Sequence, residues 1–324
     1  MEPRDGLIFA FILNGQGGGE ELGWDKIRSW NPGQGFLWVH IQPDQSQAVD
    51  WVSKECGLDD ILTTALLDTD SNPRLLKEGD SILATLRGVN LNRGADPEDM
   101  AFLNIWIDQS RAITVRKEKL MSVQDIYKEI LANKGPANGP ELLIRLLDRL
   151  LKRMEPVLDH LEQELDEIEV QSSQDTNGNL GDKLLDLRHE VIGLRRHLIP
   201  QRRALEALHK EPIPWMKKTH KRWIQEKDHQ VQRFLADLES FRDRAVVIQD
   251  EVKNRSSERM NRAMYMLAIL TGIFLPMGFL TGLLGINVGG LPGVEYKWAF
   301  WIVCALLVGM VGINLWIFRR MKWI

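Results

Sequence analysis

The first 138 residues alternate between short apolar runs and stretches whose apolar positions have helical spacing. Five runs are rich in apolar or β-branched residues, as strands are: Leu7–Leu13, Gly35–Gln42, Ile82–Leu91, Ala101–Asp108 and Ala112–Arg116. Three stretches have the spacing of helices: Gln47–Cys56, Asp59–Leu67 and Ser122–Ala132. The alternation predicts an N-terminal α/β domain with a mixed sheet over residues 1–138.

The pattern becomes helical from residue 139 onward. Apolar residues recur at every third or fourth position from Leu143 to Ile168, and a second helix is predicted to run to about Lys210. After Trp215 neither Pro nor Gly occurs before the apolar tail, so the last helix is predicted to enter that tail without a break. Residues 139–258 are therefore predicted to form a helical stalk.

The C-terminal tail contains two apolar runs of membrane-spanning length. No Asp, Glu, Lys or Arg lies between Arg262 and Glu295, or between Lys297 and Arg319. Helices of these lengths reach roughly 31–33 Å, which is enough for a hydrocarbon core of about 30 Å. A buried helical hairpin is the alternative, but such charge-free lengths exceed those of ordinary core helices. The predicted transmembrane domain is 259–324, and its two predicted spans cover about 263–285 and 298–318.

The charges beside the spans predict their orientation. Basic residues precede the first span and follow the second, whereas the connecting loop carries only Glu295 and Lys297 as charged residues. The excess of positive charge on cytoplasmic flanks places both termini in the cytoplasm and the loop outside. We therefore expect a multi-pass protein of the cytoplasmic (inner) membrane, in contact with membrane lipid.

Composition and motifs exclude several classes of protein. Residues before the tail include 35 basic and 44 acidic residues, so the body is acidic, and no nucleic-acid partner is expected. Cys56 and Cys304 are too far apart in sequence and setting to suggest a disulfide framework. Gly15–Gly19 lacks the Lys-Ser/Thr of a phosphate loop, and the seven histidines form no HExxH motif. We predict no enzymatic activity and no cofactor.

One acidic helix face carries a weak candidate for a metal site. His160 lies beside Asp159 and Glu162 in the helical stalk, and these three side chains are ligand types for divalent cations. The alternative is a solvated acidic face, which is the commoner meaning of such a charge run.

One face of the last long helix, defined by a seven-residue (heptad) repeat, has an unusual composition. An ordinary helix seam would carry Leu or Ile at these positions, whereas this face is acidic or polar below the membrane and mostly small within it. Tight packing in lipid also favours small residues and is the alternative, but a polar ring around an axis needs water or ions. The predicted pore-lining face is Asp250, Asn254, Ser257, Asn261, Met264, Ala268, Thr271, Leu275, Gly278, Gly282 and Gly285.

Pro276 lies within the first span and cannot donate a hydrogen bond to the carbonyl of Gly272. The residue is a candidate hinge, and a static kink is the alternative.

The end of the first span carries a specific signature, Gly285-Ile286-Asn287, followed by Val288 and the sequence GGLPG. Further motifs accompany this tripeptide: Met260–Arg262 (MNR), Phe274–Pro276 (FLP), Arg195-Arg196 with Pro200-Gln201-Arg202, and Pro214-Trp215-Met216. Together they resemble the CorA metal-ion transporter family. The magnesium branch of that family has Met in the middle of the tripeptide, and the Ile here is similar to the zinc-transporting branch. The resemblance covers essentially the whole chain.

The resemblance implies a homopentamer with a funnel-shaped cytoplasmic domain and a pore lined by the first span. It places Gly285, Ile286 and Asn287 at the selective pore mouth and Asn261 near the cytoplasmic end. Five Asn287 amides would offer carbonyl oxygens that hydrogen-bond the water shell of a cation. Glu295 is the only acidic residue of the outer loop, so capture of external cations by charge is expected to be weak.

The function implied by the resemblance is uptake of Zn²⁺, with Cd²⁺, Ni²⁺ and Co²⁺ as further cargo and with proton coupling. Zinc efflux or a less selective magnesium-type channel is the alternative within transport, and a membrane-anchored sensor or scaffold is the alternative from another class. The first span contains neither Cys nor His, the ligands that Zn²⁺ prefers, so zinc is expected to pass hydrated and with little selectivity.

Overall fold

The computed structural model of the chain describes residues 5–174, 180–286 and 296–320. These residues belong to two compact units, Met1–Gln249 and Asp250–Ile324. The first unit contains one sheet and most of the helices, and the second contains the two apolar helices.

The first unit is built on a seven-stranded sheet with the order β2-β1-β3-β7-β6-β5-β4. In the part of the chain that the structure describes, β3 and β7 pair in parallel and every other neighbouring pair is antiparallel. The predicted mixed sheet is therefore confirmed. The strands are β1 Leu7–Leu13, β2 Gly19–Glu21, β3 Phe36–Ile41, β4 Arg74–Glu78, β5 Ser81–Gly88, β6 Ala101–Ile107 and β7 Arg111–Val115.

Helices cover both faces of the sheet because successive strand side chains point to opposite sides. On one face, Val39 and Ile113 of the sheet pack with Val52 and Leu66 in a single buried apolar cluster. On the other face, the ring of Phe9 lies 5.1 Å from the ring of Tyr127, measured between centroids. The helices of this α/β layer are α1 Trp24–Ser29, α2 Ser46–Asp50, α3 Asp60–Leu67 and α4 Met121–Leu131.

Local sequence signals fix the starts of two helices. The Asp59 carboxylate accepts a hydrogen bond of 2.6 Å from the backbone N–H of Leu62, which caps α3. The Asn138 side chain accepts one of 3.0 Å from the N–H of Glu141, and Pro140 occupies the first turn of the helix that follows. The helices after the sheet are α5 Gly139–Lys152, α6 Glu155–Gln174, α7 Leu180–Lys210, α8 Lys218–Leu284 and α9 Ala299–Arg320.

The predicted stripe from Leu143 to Ile168 belongs to two helices. α5 ends at Lys152 and α6 begins at Glu155, with a turn at Arg153 and Met154 between them. Met154 remains buried through this turn, so the apolar rhythm continues although the backbone helix does not. The division of the chain near residues 138 and 258 stays a prediction.

The first part of α8 packs in the first unit along a stripe that repeats every three or four residues. Ile224, Val231, Leu238 and Ala245 of this stripe are fully buried. Lys227 and Asp228 are buried among them: the Lys227 ammonium donates to Asp148 over 2.6 Å, and Asp228 forms an ion pair with Arg202. The helix then continues to Leu284, so the predicted unbroken helix is confirmed.

Candidate functional site

Two helices of the second unit are long and apolar enough to cross a membrane, the distal part of α8 and the whole of α9. The apolar windows of both helices are exposed in the single chain. Exposed apolar side chains of this extent are stable only against lipid or other protein. This observation supports the two predicted spans.

The predicted pore-lining positions lie on one exposed face of the distal part of α8. All of them, from Asp250 to Gly285, are exposed, and the Leu275 side chain is 70% exposed. At a rise of 1.5 Å per residue this face extends over roughly 50 Å of helix. Four of its polar members, Asp250, Asn254, Ser257 and Asn261, occupy the N-terminal part of the face, and Thr271 lies further along it.

A different stripe of α8 is partly covered. It contains Ile269, Gly272, Ile273, Pro276, Met277 and Leu280. A Cβ atom built on Gly272 would lie 2.9 Å from Cζ of Phe318 in α9, so this stripe faces the second apolar helix. The predicted pore face and the α9-facing stripe are therefore different sides of the same helix.

The matching stripe of α9 contains Cys304. Partly or fully covered positions recur at three- and four-residue intervals: Cys304, Leu307, Val311, Asn314 and Phe318. Cys304 therefore lies on the side of α9 that also carries Phe318, which supports a packing role for this cysteine.

Pro276 lies inside α8 and does not end it. Five residues further on, the Thr281 hydroxyl donates to the carbonyl oxygens of Met277 and Gly278 at 2.9 and 3.2 Å. Such a bond back to the preceding turn satisfies the hydroxyl where no water is available. Pro276 is on the α9-facing stripe, and its role as a hinge stays a prediction.

The end of the first span is described up to Ile286. The N–H of Gly285 donates to the carbonyl of Thr281 over 2.9 Å, which closes the last turn of the helix. Ile286 is exposed. Asn287 and the outer-loop residue Glu295 lie outside the described residues, so their predicted roles remain predictions.

The weak metal candidates are not gathered into a metal site. His160 lines a cavity of about 250 Å³ that also contains Glu164 and Glu167, while Asp159 and Glu162 are exposed. Within residues 5–174, 180–286 and 296–320, no group of three His, Cys, Asp or Glu side chains has the arrangement to hold a metal ion.

The same region contains a residue that the sequence pattern did not indicate. Glu190 of α7 is half-buried, and burial together with the carboxylates of Glu98 and Glu164 raises its pKa to about 7. The neighbouring His160 opposes that shift. No sequence signal marks Glu190, because its acidic neighbours come from a loop of the sheet and from α6.

Residues of the first unit that carried the family resemblance form contacts between its secondary-structure elements. The Gln201 side-chain oxygen accepts a hydrogen bond of 2.6 Å from the backbone N–H of Arg87 in β5. The Trp215 indole donates to the carbonyl of Asp80 over 2.6 Å, and Arg195 pairs with Glu239 of α8. These contacts hold α7 and the start of α8 against the sheet and against each other.

Comparison with known proteins agrees with this architecture. A family model described as "CorA-like Mg2+ transporter protein" matches residues 33–320. The chain is 38% identical over 323 residues to the divalent cation transporter CmaX of Pseudomonas aeruginosa, covering 98% of this chain and 97% of that protein. It is 30% identical over 322 residues to the zinc transport protein ZntB of Pectobacterium atrosepticum, covering 99% of this chain and 97% of the relative.

The fold also matches a solved structure over nearly its whole length. The structure of the full-length CmaX protein aligns with a TM-score of 0.87 and 36% sequence identity, covering 99% of both chains. An α/β domain, a helical stalk and two C-terminal apolar helices are therefore shared with that protein. The chain belongs to the CorA-like family of Mg²⁺ transporters.

Proposed function

We propose that this chain carries divalent metal cations across the cytoplasmic membrane as a homopentamer, with zinc uptake as its main activity. Both termini would lie in the cytoplasm. The CmaX and ZntB relatives, named for divalent cation and zinc transport, support this cargo class. The observation that carries the proposal is the exposed face of α8 from Asp250 to Gly285.

A water-filled path explains the composition of that face. Two helices of one chain pack against each other through Gly272 and Phe318 and leave no channel between them, so a path requires several copies around one axis. Asp250 and Asn261 would then form rings of carboxylate and amide oxygens, which suit a hydrated cation. The small residues Gly278 and Gly282 would let the path remain wide within the membrane.

The cargo would cross with its water shell. Zn²⁺ is bound most strongly by Cys and His, and neither occurs between Arg262 and Glu295. Cd²⁺, Ni²⁺ and Co²⁺ are therefore expected to share the path. The same stretch has no Asp, Glu or His to relay a proton, so proton coupling would depend on groups outside the spans or on water that accompanies the ion.

A flux assay tests the transport claim. The purified chain in liposomes should admit Zn²⁺, and a pH gradient should change the rate of entry. Absence of flux for any divalent ion would favour the membrane-anchored scaffold, and flux of Mg²⁺ alone would overturn the zinc assignment. Asn287→Ala should abolish or deregulate flux while oligomer size in size-exclusion chromatography is unchanged.

Cysteine substitution with a matched control tests which face lines the path. In a variant without the two native cysteines, Ala268→Cys lies on the proposed pore face and Leu267→Cys lies one position away, about 100° around the helix. Leu267 is 64% exposed in the single chain, so exposure in the monomer does not distinguish the two sites. A water-soluble thiol reagent should block zinc flux through Ala268→Cys and leave Leu267→Cys active. Equal block at both sites would contradict the assigned face.

A further inference from the structure

A second candidate site, of a different kind, lies in the first unit, where the parallel strands β3 and β7 end. His40 is the last but one residue of β3, and Arg116 follows β7 directly. Because β1 runs antiparallel to β3, Ile8 and Phe9 near the start of β1 lie at the same end of the sheet. Ligands of open α/β sheets bind outside the carboxyl ends of parallel strands.

A cavity of about 150 Å³ occupies this position. Helix α4 closes one side with Val123, Gln124, Tyr127 and Lys128. A cavity of roughly this volume accommodates one benzene-sized ring. The ring of Phe9 lies against both Tyr127 and His40, with centroid distances of 5.1 and 4.9 Å, so much of the wall is flat and aromatic.

Hydrogen bonds fix the protonation of His40. The Arg116 Nε–H donates to His40 Nε2 over 3.0 Å, so that nitrogen must be unprotonated. His40 Nδ1 therefore carries the proton and donates to the Thr114 hydroxyl oxygen over 2.8 Å. That oxygen also accepts from the Trp38 indole over 2.9 Å, and its own proton points to the Val39 carbonyl at 3.3 Å. Burial and the adjacent Arg116 charge keep the pKa of His40 well below its usual range.

The guanidinium of Arg116 donates to His40, and the Glu118 carboxylate acts on it through its charge without a hydrogen bond or ion pair among the described residues. Arg116 is 5% exposed, and among the described residues its two Nη groups have neither a hydrogen-bond acceptor nor an ion-pair partner. By contrast, the partly buried Arg149 of α5 and Arg153, directly after that helix, pair with Glu129 and Asp125 respectively. A buried guanidinium with no anion in hydrogen-bonding contact is costly, because its charge has lost water. The attraction of the Glu118 carboxylate does not offset this cost, since burial still lowers the pKa of Arg116 below its usual value.

We propose that this cavity binds a small organic carboxylate with a flat apolar body of about the size of benzoate. The two Nη groups of Arg116 would hold both oxygens of the carboxylate, which is the geometry that a guanidinium fork favours. The apolar body would lie against Phe9, Val123 and Tyr127. The nearby Lys128 adds positive charge at the rim, where it is exposed. A multiply charged phosphate fits less well, because the apolar wall offers it few donors.

Ligand-observed NMR titration of the full-length protein in detergent tests this assignment, with benzoate, benzamide and inorganic phosphate as probes. Benzoate should bind at least about tenfold more tightly than benzamide, its uncharged analogue, which corresponds to about 1.4 kcal/mol. Arg116→Met should remove this preference, and Arg93→Met, which changes an exposed loop arginine, should retain it. Gln124→Trp, at the half-buried edge of the cavity, should block both probes and keeps the test open if Arg116→Met fails to fold.

Three results would overturn the proposal. One is failure of the wild-type protein to bind benzoate at millimolar concentration. Another is equal affinity for benzoate and benzamide, since the charge of Arg116 would then contribute nothing. The third is competition by phosphate at equal or lower concentration, which would assign the site to inorganic anions. None of these results depends on zinc flux, so the ion pathway is tested separately.

Discussion

Glu190→Gln should make the protein more stable at alkaline pH and leave its stability unchanged at acidic pH. The pKa of Glu190 is raised from 4.5 to about 7, so the folded protein holds this proton more tightly than the unfolded chain does. The contribution of Glu190 to stability is therefore fully present below about pH 4.5 and is lost as the pH rises to about 7. Glutamine stays neutral and avoids that loss.

The size of the effect follows from the shift. At about 1.36 kcal/mol per pKa unit, the full shift would correspond to about 3.4 kcal/mol. Glu190 is only half-buried, and solvent screening reduces the expected gain to about 1–2 kcal/mol. For a unit of this size, that gain raises the melting temperature by about 2–8 °C.

Thermal unfolding of the full-length protein in detergent at pH 4.5 and pH 8 measures this difference. Glu206→Gln is the matched control on the same helix, because the Glu206 side chain is 43% exposed and the hydrogen bond that it accepts from Lys210 lowers its pKa. That variant should gain no stability at pH 8. An equal rise in melting temperature of Glu190→Gln at both pH values would show a packing effect, and no rise at pH 8 would show that Glu190 ionises normally.

Three further tests address other parts of the structure. Gln201→Leu leaves the Arg87 N–H of β5 without its acceptor and should cost about 1–3 kcal/mol in the free energy of unfolding, as measured by urea denaturation. Gly272→Leu should lower the melting temperature because the side chain collides with α9, while Gly278→Leu, with open space around it, should change flux without that loss. Cys56 is 3% exposed and burial raises its pKa to about 12, so maleimide at pH 8 should label it, as read by mass spectrometry, only after unfolding in urea.

The sheet could be predicted from the sequence where its strands are buried and not where they are exposed. The five predicted strands occupy the five inner positions of the sheet, and their apolar residues identify them. The two missed strands, Gly19–Glu21 and Arg74–Glu78, form the two edges and are largely polar. An edge strand needs pairing on one side only, so its sequence carries little apolar signal. The short helix Trp24–Ser29 was missed because it spans fewer than two turns.

The two candidate sites differ in how far the sequence could indicate them. The face of α8 repeats along one helix, so its polar and small residues form a rhythm that can be read from the sequence alone. The cavity beside Arg116 joins residues of different strands, and Arg116 and His40 are 76 positions apart in sequence. Only the parallel pairing of β3 with β7 places them together. A spacing pattern cannot show such a site, because the fold and not the local sequence creates it.

The hydrogen bonds around His40 have a consequence for how the first unit responds to acidification. An imidazole is the usual side chain for sensing a change around neutral pH. Here a second proton on His40 would displace the Arg116 donor and place two cations side by side in a buried position, so this ring stays neutral throughout the physiological range. Near neutrality, Glu190 changes charge while His40 does not, so the group that titrates in the range usual for a histidine is here a carboxyl group.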